Sequence, residues 1–149
     1  MALSKPAIAT IIIAIAIAGI AGTLGALTAS HTVPSSGSVT VTAVGVGVYN
    51  NSACTNAIST INWGTITNGS APTKLIYIEN TGNTQETLSM TTSGWNPSTA
   101  PTYISLSWNA TGAAVSAGSH VAALLTLTVS GGIAGITSFS FNMTITGTH

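Results

Sequence analysis

Two hydrophobic patterns divide the chain. Residues 6–29 read PAIATIIIAIAIAGIAGTLGALTA, and between Ala7 and Ala29 there is no charge and only Thr10, Thr23 and Thr28 are polar. A run of this kind predicts a helix that is apolar on every side and must be surrounded, because it has no solvent face. Pro6 suits a first helical turn, and Ser4 just ahead is a capping residue type. At ~1.5 Å per residue such a helix would be about 36 Å long, which passes the ~20-residue length for spanning a bilayer. Small residues recur four apart as Ala14, Ala18, Gly22 and Ala26, with Ala21, Gly25 and Ala29 beside them, while Ile11, Ile12, Ile13, Ile15 and Ile17 supply bulk. Rows of small residues let helices approach closely. A lone anchor does not need them, whereas a bundle of identical helices does. The candidate packing positions are therefore Ile11, Ala14, Ile15, Ala18, Gly22, Gly25 and Ala26. A simple membrane anchor remains an alternative use of the segment, as does a secretory signal cut near Thr28-Ala29-Ser30.

From Ser38 onward the period changes to two. Val39, Val41 and Ala43 alternate with Ser and Thr, and Val44, Val46 and Val48 continue on the opposite parity, which predicts a bulge or break near Ala43–Val44. Ile58–Trp63 is an irregular candidate strand. Lys74–Glu79 is a stronger one, closed by the turn signal Asn80-Thr-Gly-Asn83, and Leu88 and Met90 follow. Ser93–Ser98 (SGWNPS) reads as a loop. Ile104, Leu106 and Trp108 alternate with serines, Val121 to Val129 makes a long strand, and Phe139, Phe141, Met143 and Ile145 alternate with Ser140, Asn142, Thr144 and Thr146. About seven or eight strands with regularly spaced turns predict a β-sandwich. The expected organisation is α+β: an assembly helix over 1–30, a Pro/Gly/Ser hinge over 31–37, and a sandwich over 38–149.

Composition narrows the function. Of 149 residues 3% are charged, namely Lys5, Lys74, Glu79 and Glu86, and the formal net charge is zero, against about 25% charged in ordinary domains. Two lysines cannot replace counterions along a phosphate backbone, so nucleic acid is excluded as a partner. The chain instead carries 43 Ser and Thr. A surface of hydroxyls and amides responds little to salt or pH, since nothing on it titrates. The frequent, regularly spaced apolar residues argue against disorder.

Enzyme chemistry finds no footing. His31, His120 and His149 share no metal-ligand spacing, no Asp is present to orient a histidine, and there is no Gly-x-Ser-x-Gly elbow. Gly131-Gly132 has neither the lysine nor the following helix of a phosphate loop. No catalytic residue, metal or cofactor is expected. Glu79 and Glu86 flank the Asn80–Asn83 turn, and with Lys74 they read as surface charges of little energetic weight. Cys54 cannot form an internal disulfide and reads as a small buried residue, with a bridge between subunits as the other use. Trp63, Trp95 and Trp108 read as core aromatics rather than a sugar platform, Trp95 being the one placed in a loop.

One modification signal remains. Asn-x-Ser/Thr sequons begin at Asn50, Asn68, Asn109 and Asn142. Their number is what composition alone would produce, but their placement at strand ends, in a loop, and on the outward parity of the last strand allows all four to be exposed. Attached sugars would keep so uncharged a surface soluble.

Two resemblances follow. Leu3-Ser4 and Pro6-Ala7-Ile8-Ala9-Thr10-Ile11-Ile12-Ile13-Ala14 resemble the start of archaeal type IV pilins over about 25 residues. The segments IENTGN, SGW, ISLSW, VSAG and SFNMTITG resemble immunoglobulin-like modules of archaeal and bacterial surface proteins, which implies a scaffold and no activity. The pilin resemblance implies a leader removed by a dedicated peptidase and an apolar helix held first in the membrane and then in a filament core. It also implies an outward, often glycosylated head. The expected function is thus a structural subunit of an extracellular, archaeal type IV pilus-like filament serving adhesion, a homopolymer with a membrane-inserted precursor. The alternatives are a secreted or membrane-anchored surface protein that binds carbohydrate or cells, and a fibre in which His31–Tyr49 is donated as a strand.

Overall fold

The computed structural model describes residues 35–149. Their alternating pattern is realised as nine strands: β1 (Ser35–Val44), β2 (Val46–Tyr49), β3 (Thr60–Ile66), β4 (Thr73–Asn80), β5 (Glu86–Asn96), β6 (Ile104–Trp108), β7 (Ala114–Val115), β8 (His120–Val129) and β9 (Ser138–Thr148). A single 3-10 turn, Ala100–Thr102, is the only helical element among the described residues. The expected α+β class is therefore corrected: the described chain is all β, because no segment after residue 34 carries a 3.6-residue period. The helix expected over 1–30, with its packing positions Ile11, Ala14, Ile15, Ala18, Gly22, Gly25 and Ala26, lies outside the described residues. Among the described residues no helix is long and apolar enough to cross a membrane.

The strands form two sheets. The first runs β3-β1-β9-β5-β7 and the second β2-β4-β8-β6. Neighbours are antiparallel except β1 and β9, which run parallel from Ser36↔Ser138 to Val44↔Thr146. The inward positions of both sheets build one core, which includes Val39, Trp63, Ile76, Ile78, Leu88, Leu125, Leu127, Phe141, Met143 and Ile145. Phe139 lies over Gly37, where any side chain would meet its ring.

The parity change after Ala43 is a change of sheet rather than a bulge within one. Gly45 adopts φ +76°, a conformation that suits glycine because it has no Cβ. There the chain leaves the first sheet and enters the second. Val44 is left exposed at the corner, while Val46 and Val48 turn inward. A second difference concerns Ser93–Ser98. Ser93 to Asn96 belong to β5, and the register shift between Ser93 and Asn96 accommodates Gly94 at φ +62°. Gly94 there marks an irregular strand, while Pro97 and Ser98 lie in the connection that follows β5.

Candidate functional site

The two outer faces of the sandwich are clad differently. On the first sheet the outward residues Ser38 and Thr40 of β1 meet hydroxyl and amide residues on both sides, and Thr42 meets Thr144 on one. Asn62, Ser38, Ser140 and Asn96 stand in one row across four strands, and Thr60, Thr40, Asn142 and Ser93 stand in the next. Thr42, Thr144 and Thr91 continue the array. A shallow hollow at one end of this face is lined by Ser36, Ser38, Asn62, Asn96 and Ser140. No charged side chain enters these rows. The face presents donors and acceptors at strand spacing, ~4.8 Å in one direction, and its hydration does not depend on ionisation.

The outer face of the second sheet carries an apolar and aromatic patch, beyond which Thr73, Thr126 and Ser107 form one hydroxyl row and Thr128 and Ser105 the next. Leu75 pairs with Leu124, and both are exposed. Tyr49, Tyr77 and Ala122 form the adjoining row, and His120 meets the Tyr77 ring edge-on at 6.1 Å between centroids. Glu79 opposes His120 on this sheet. The Tyr49 phenol is held above the usual tyrosine range by desolvation, by its hydrogen bond to the Glu79 carboxylate and by that negative charge. Unfolding restores the ordinary value, so the unfolded chain ionises first. This contribution to stability is complete below the tyrosine range and is lost as pH rises through the raised folded value. Alkaline titration followed by tyrosinate absorbance should show one late-ionising phenol that disappears in Tyr49→Phe.

The four sequon asparagines fall on four different elements. Asn50 follows β2 and is exposed. Asn109 follows β6, is exposed, and accepts the Leu124 N–H at 2.8 Å, while the hydroxyl of its sequon residue Thr111 accepts the Trp108 indole N–H at 2.6 Å. Asn142 is exposed in mid-strand on the polar face, with its amide close over Gly94. Asn68, in the β3–β4 connection, is half-buried, so full exposure of all four does not hold. If the exposed three are modified, intact mass should exceed that of the bare polypeptide, and Asn50→Gln, Asn109→Gln and Asn142→Gln should each remove one glycan increment. A native mass equal to the bare chain would exclude the modification.

The tryptophans pack. Trp63 is buried, with the Lys74 ammonium 5.7 Å from its ring centroid, a cation–π arrangement. Trp95 stacks on Phe141 at 3.9 Å, and Trp108 is half-buried against the core. Cys54 is half-buried in the β2–β3 connection at φ +50°. Desolvation and the Glu79 charge raise its thiol pKa, which disfavours the reactive thiolate at neutral pH. Among the described residues no cluster of three or more His, Cys or acidic side chains is placed to hold a metal.

Glu86 departs most from expectation. It is not a surface charge: it starts β5 facing inward and is only 7% exposed. Asn80, expected simply as a turn residue, is fully buried and organises this end of the sandwich. Its amide donates to the carbonyls of Thr84 at 2.7 Å and Val115 at 2.8 Å, and its Oδ1 accepts the Gly82 N–H at 2.8 Å. The Asn-x-Gly spacing carried that signal, since an Asn side chain bonding two residues on is an Asx turn. The burial of Glu86 had no local signal beyond its sharing parity with Leu88. No protein-family model matches the chain, and no characterised protein matches it in sequence.

Proposed function

We propose that this chain is a structural subunit of an extracellular filament of the archaeal type IV pilus kind, a homopolymer whose precursor is held in the membrane by its apolar N-terminal segment. The observation that supports this reading most directly is the joining of that segment to a sandwich with one uncharged polar face and an apolar, aromatic patch on the other. Residues 7–29 carry no charge and only three threonines to offer water, so their stable settings are lipid or copies of themselves. The head needs one face that tolerates solvent and one that contacts neighbouring subunits. The hydroxyl and amide array of the first sheet suits the former, and Leu75, Leu124, Tyr49 and Tyr77 on the second sheet suit the latter. Sugars at Asn50, Asn109 and Asn142 would add solubility without charge. The polar face is the adhesive one.

Ile15→Glu tests the reading. A carboxylate in the middle of the apolar run is very costly to bury unpaired, so filaments seen by electron microscopy of purified material should disappear while the head retains its β-sheet circular dichroism. Normal filaments from this variant would overturn the proposal.

A further inference from the structure

The end of the sandwich that holds Glu86 has the chemistry of a cation site. The Glu86 carboxylate is more than nine-tenths buried, and its Oε2 has no hydrogen-bond partner among the described residues. It faces three glycines from three segments: Gly45 at the β1–β2 corner, Gly82 in the β4–β5 turn, and Gly147 near the end of β9. A methyl group built on Gly45 would lie 3.3 and 3.6 Å from the two carboxylate oxygens and 3.1 Å from the Gly147 carbonyl oxygen. One built on Gly82 would lie 3.1 Å from Asn80 Oδ1 and 3.3 Å from Glu86 Oε1. One built on Gly147 would collide with Glu86 Oε2. Side chains are thus absent where they would fill the space around the carboxylate. Four oxygens remain about these two points: both Glu86 oxygens with the Gly147 carbonyl beside Gly45, and Glu86 Oε1 with Asn80 Oδ1 beside Gly82.

All four are acceptors, and no positive side chain answers them. Lys74, the one lysine among the described residues, is placed over Trp63. A buried carboxylate oxygen with no hydrogen-bond donor is strongly unfavourable unless a positive charge joins it. We propose that this notch binds a hard, oxygen-seeking metal cation, coordinated by the Glu86 carboxylate with Asn80 Oδ1 and the Gly147 carbonyl. Ca²⁺ suits the set better than Mg²⁺. It accepts backbone carbonyls in irregular arrangements, whereas Mg²⁺ demands a tight octahedron and keeps its water. Na⁺ has the same taste for oxygen and would balance the single charge. The cation would tie together the end of β4, the start of β5 and the end of β9, which brings both sheets under one ligand. This inference does not depend on the filament reading.

The test is thermal unfolding of the full chain in detergent, in chelator at constant ionic strength, against added Ca²⁺ and, separately, against Na⁺ replacing choline. With one carboxylate the affinity should be that of weak extracellular sites, so about 10 mM Ca²⁺ should raise Tm by about 4 °C. Calorimetric titration of the unmodified chain should show one site. Glu86→Gln should abolish the response, while Glu79→Gln, which removes the other acidic side chain, should leave it intact. A response to Na⁺ alone, lost in Glu86→Gln, supports the same site with a monovalent occupant. No response to either ion, or a response that persists in Glu86→Gln, overturns the proposal.

Discussion

Asn80→Asp is expected to unfold the sandwich at neutral pH, although it changes one amide nitrogen to oxygen. The native amide donates to two carbonyls, those of Thr84 and Val115, and its own oxygen accepts from Gly82. An aspartate keeps the acceptor but loses both donors, so two carbonyl oxygens face a carboxylate in a fully buried position. Each buried group left unsatisfied costs ~1–3 kcal/mol, more where charge is involved. The new charge would also lie near Glu86, since Asn80 Oδ1 and Glu86 Oε1 flank the same point beside Gly82. Domains of this size are stable by only about 5–15 kcal/mol. Asn80→Ala should be less damaging than Asn80→Asp, because it loses the same bonds without adding charge. Urea unfolding in the presence of chelator, where no added cation can mask the effect, checks the order.

Phe141→Ala is the second large loss. Phe141 lies in β9, the strand that joins β1 to β5, and is buried with Trp95 stacked on one side at 3.9 Å and Phe139 at 6.3 Å. Truncating a buried phenylalanine typically costs ~3–5 kcal/mol through lost transfer energy and the residual cavity. Here Trp95 also loses the ring that holds it against the core, so its fluorescence should shift to the red before global unfolding. Thr144→Ala, on the outer face of the same strand, should change stability little. A Phe141→Ala variant that unfolds with the native midpoint would contradict the placement of the core.

Much of the architecture could be read from local pattern. Val39 and Val41, Leu125 and Leu127, and Phe141 and Met143 face inward as their alternation predicts, because successive side chains in a strand point to opposite faces. The change of parity at Ala43–Val44 was visible, but its meaning was not. A bulge and a change of sheet leave the same mark in sequence, and the latter is recognised by Gly45 and by the different partners of β1 and β2. At Ser93–Ser98 the Gly and Pro signals suggested a loop, whereas pairing with β9 holds Ser93 and Asn96 in a strand. Long-range ladder bonds overrode the local turn preference.

The candidate sites divide in the same way. The near absence of charge, the abundance of Ser and Thr, the apolar leading segment and the positions of the sequons are properties of composition and order, so they required no fold to be seen. The alternation even showed that Ser and Thr would be outward on several strands. It could not show that those strands, β1, β3, β5 and β9, are neighbours and make one continuous face, because pairing joins residues as much as a hundred positions apart. Glu86 is the sharpest case. Beside a polar turn it has every local mark of a surface acid, and it becomes a buried carboxylate when Gly45, Gly82 and Gly147 converge around it. Periodicity specifies which side of a strand is apolar, but the company a side chain keeps is specified by contacts between distant segments.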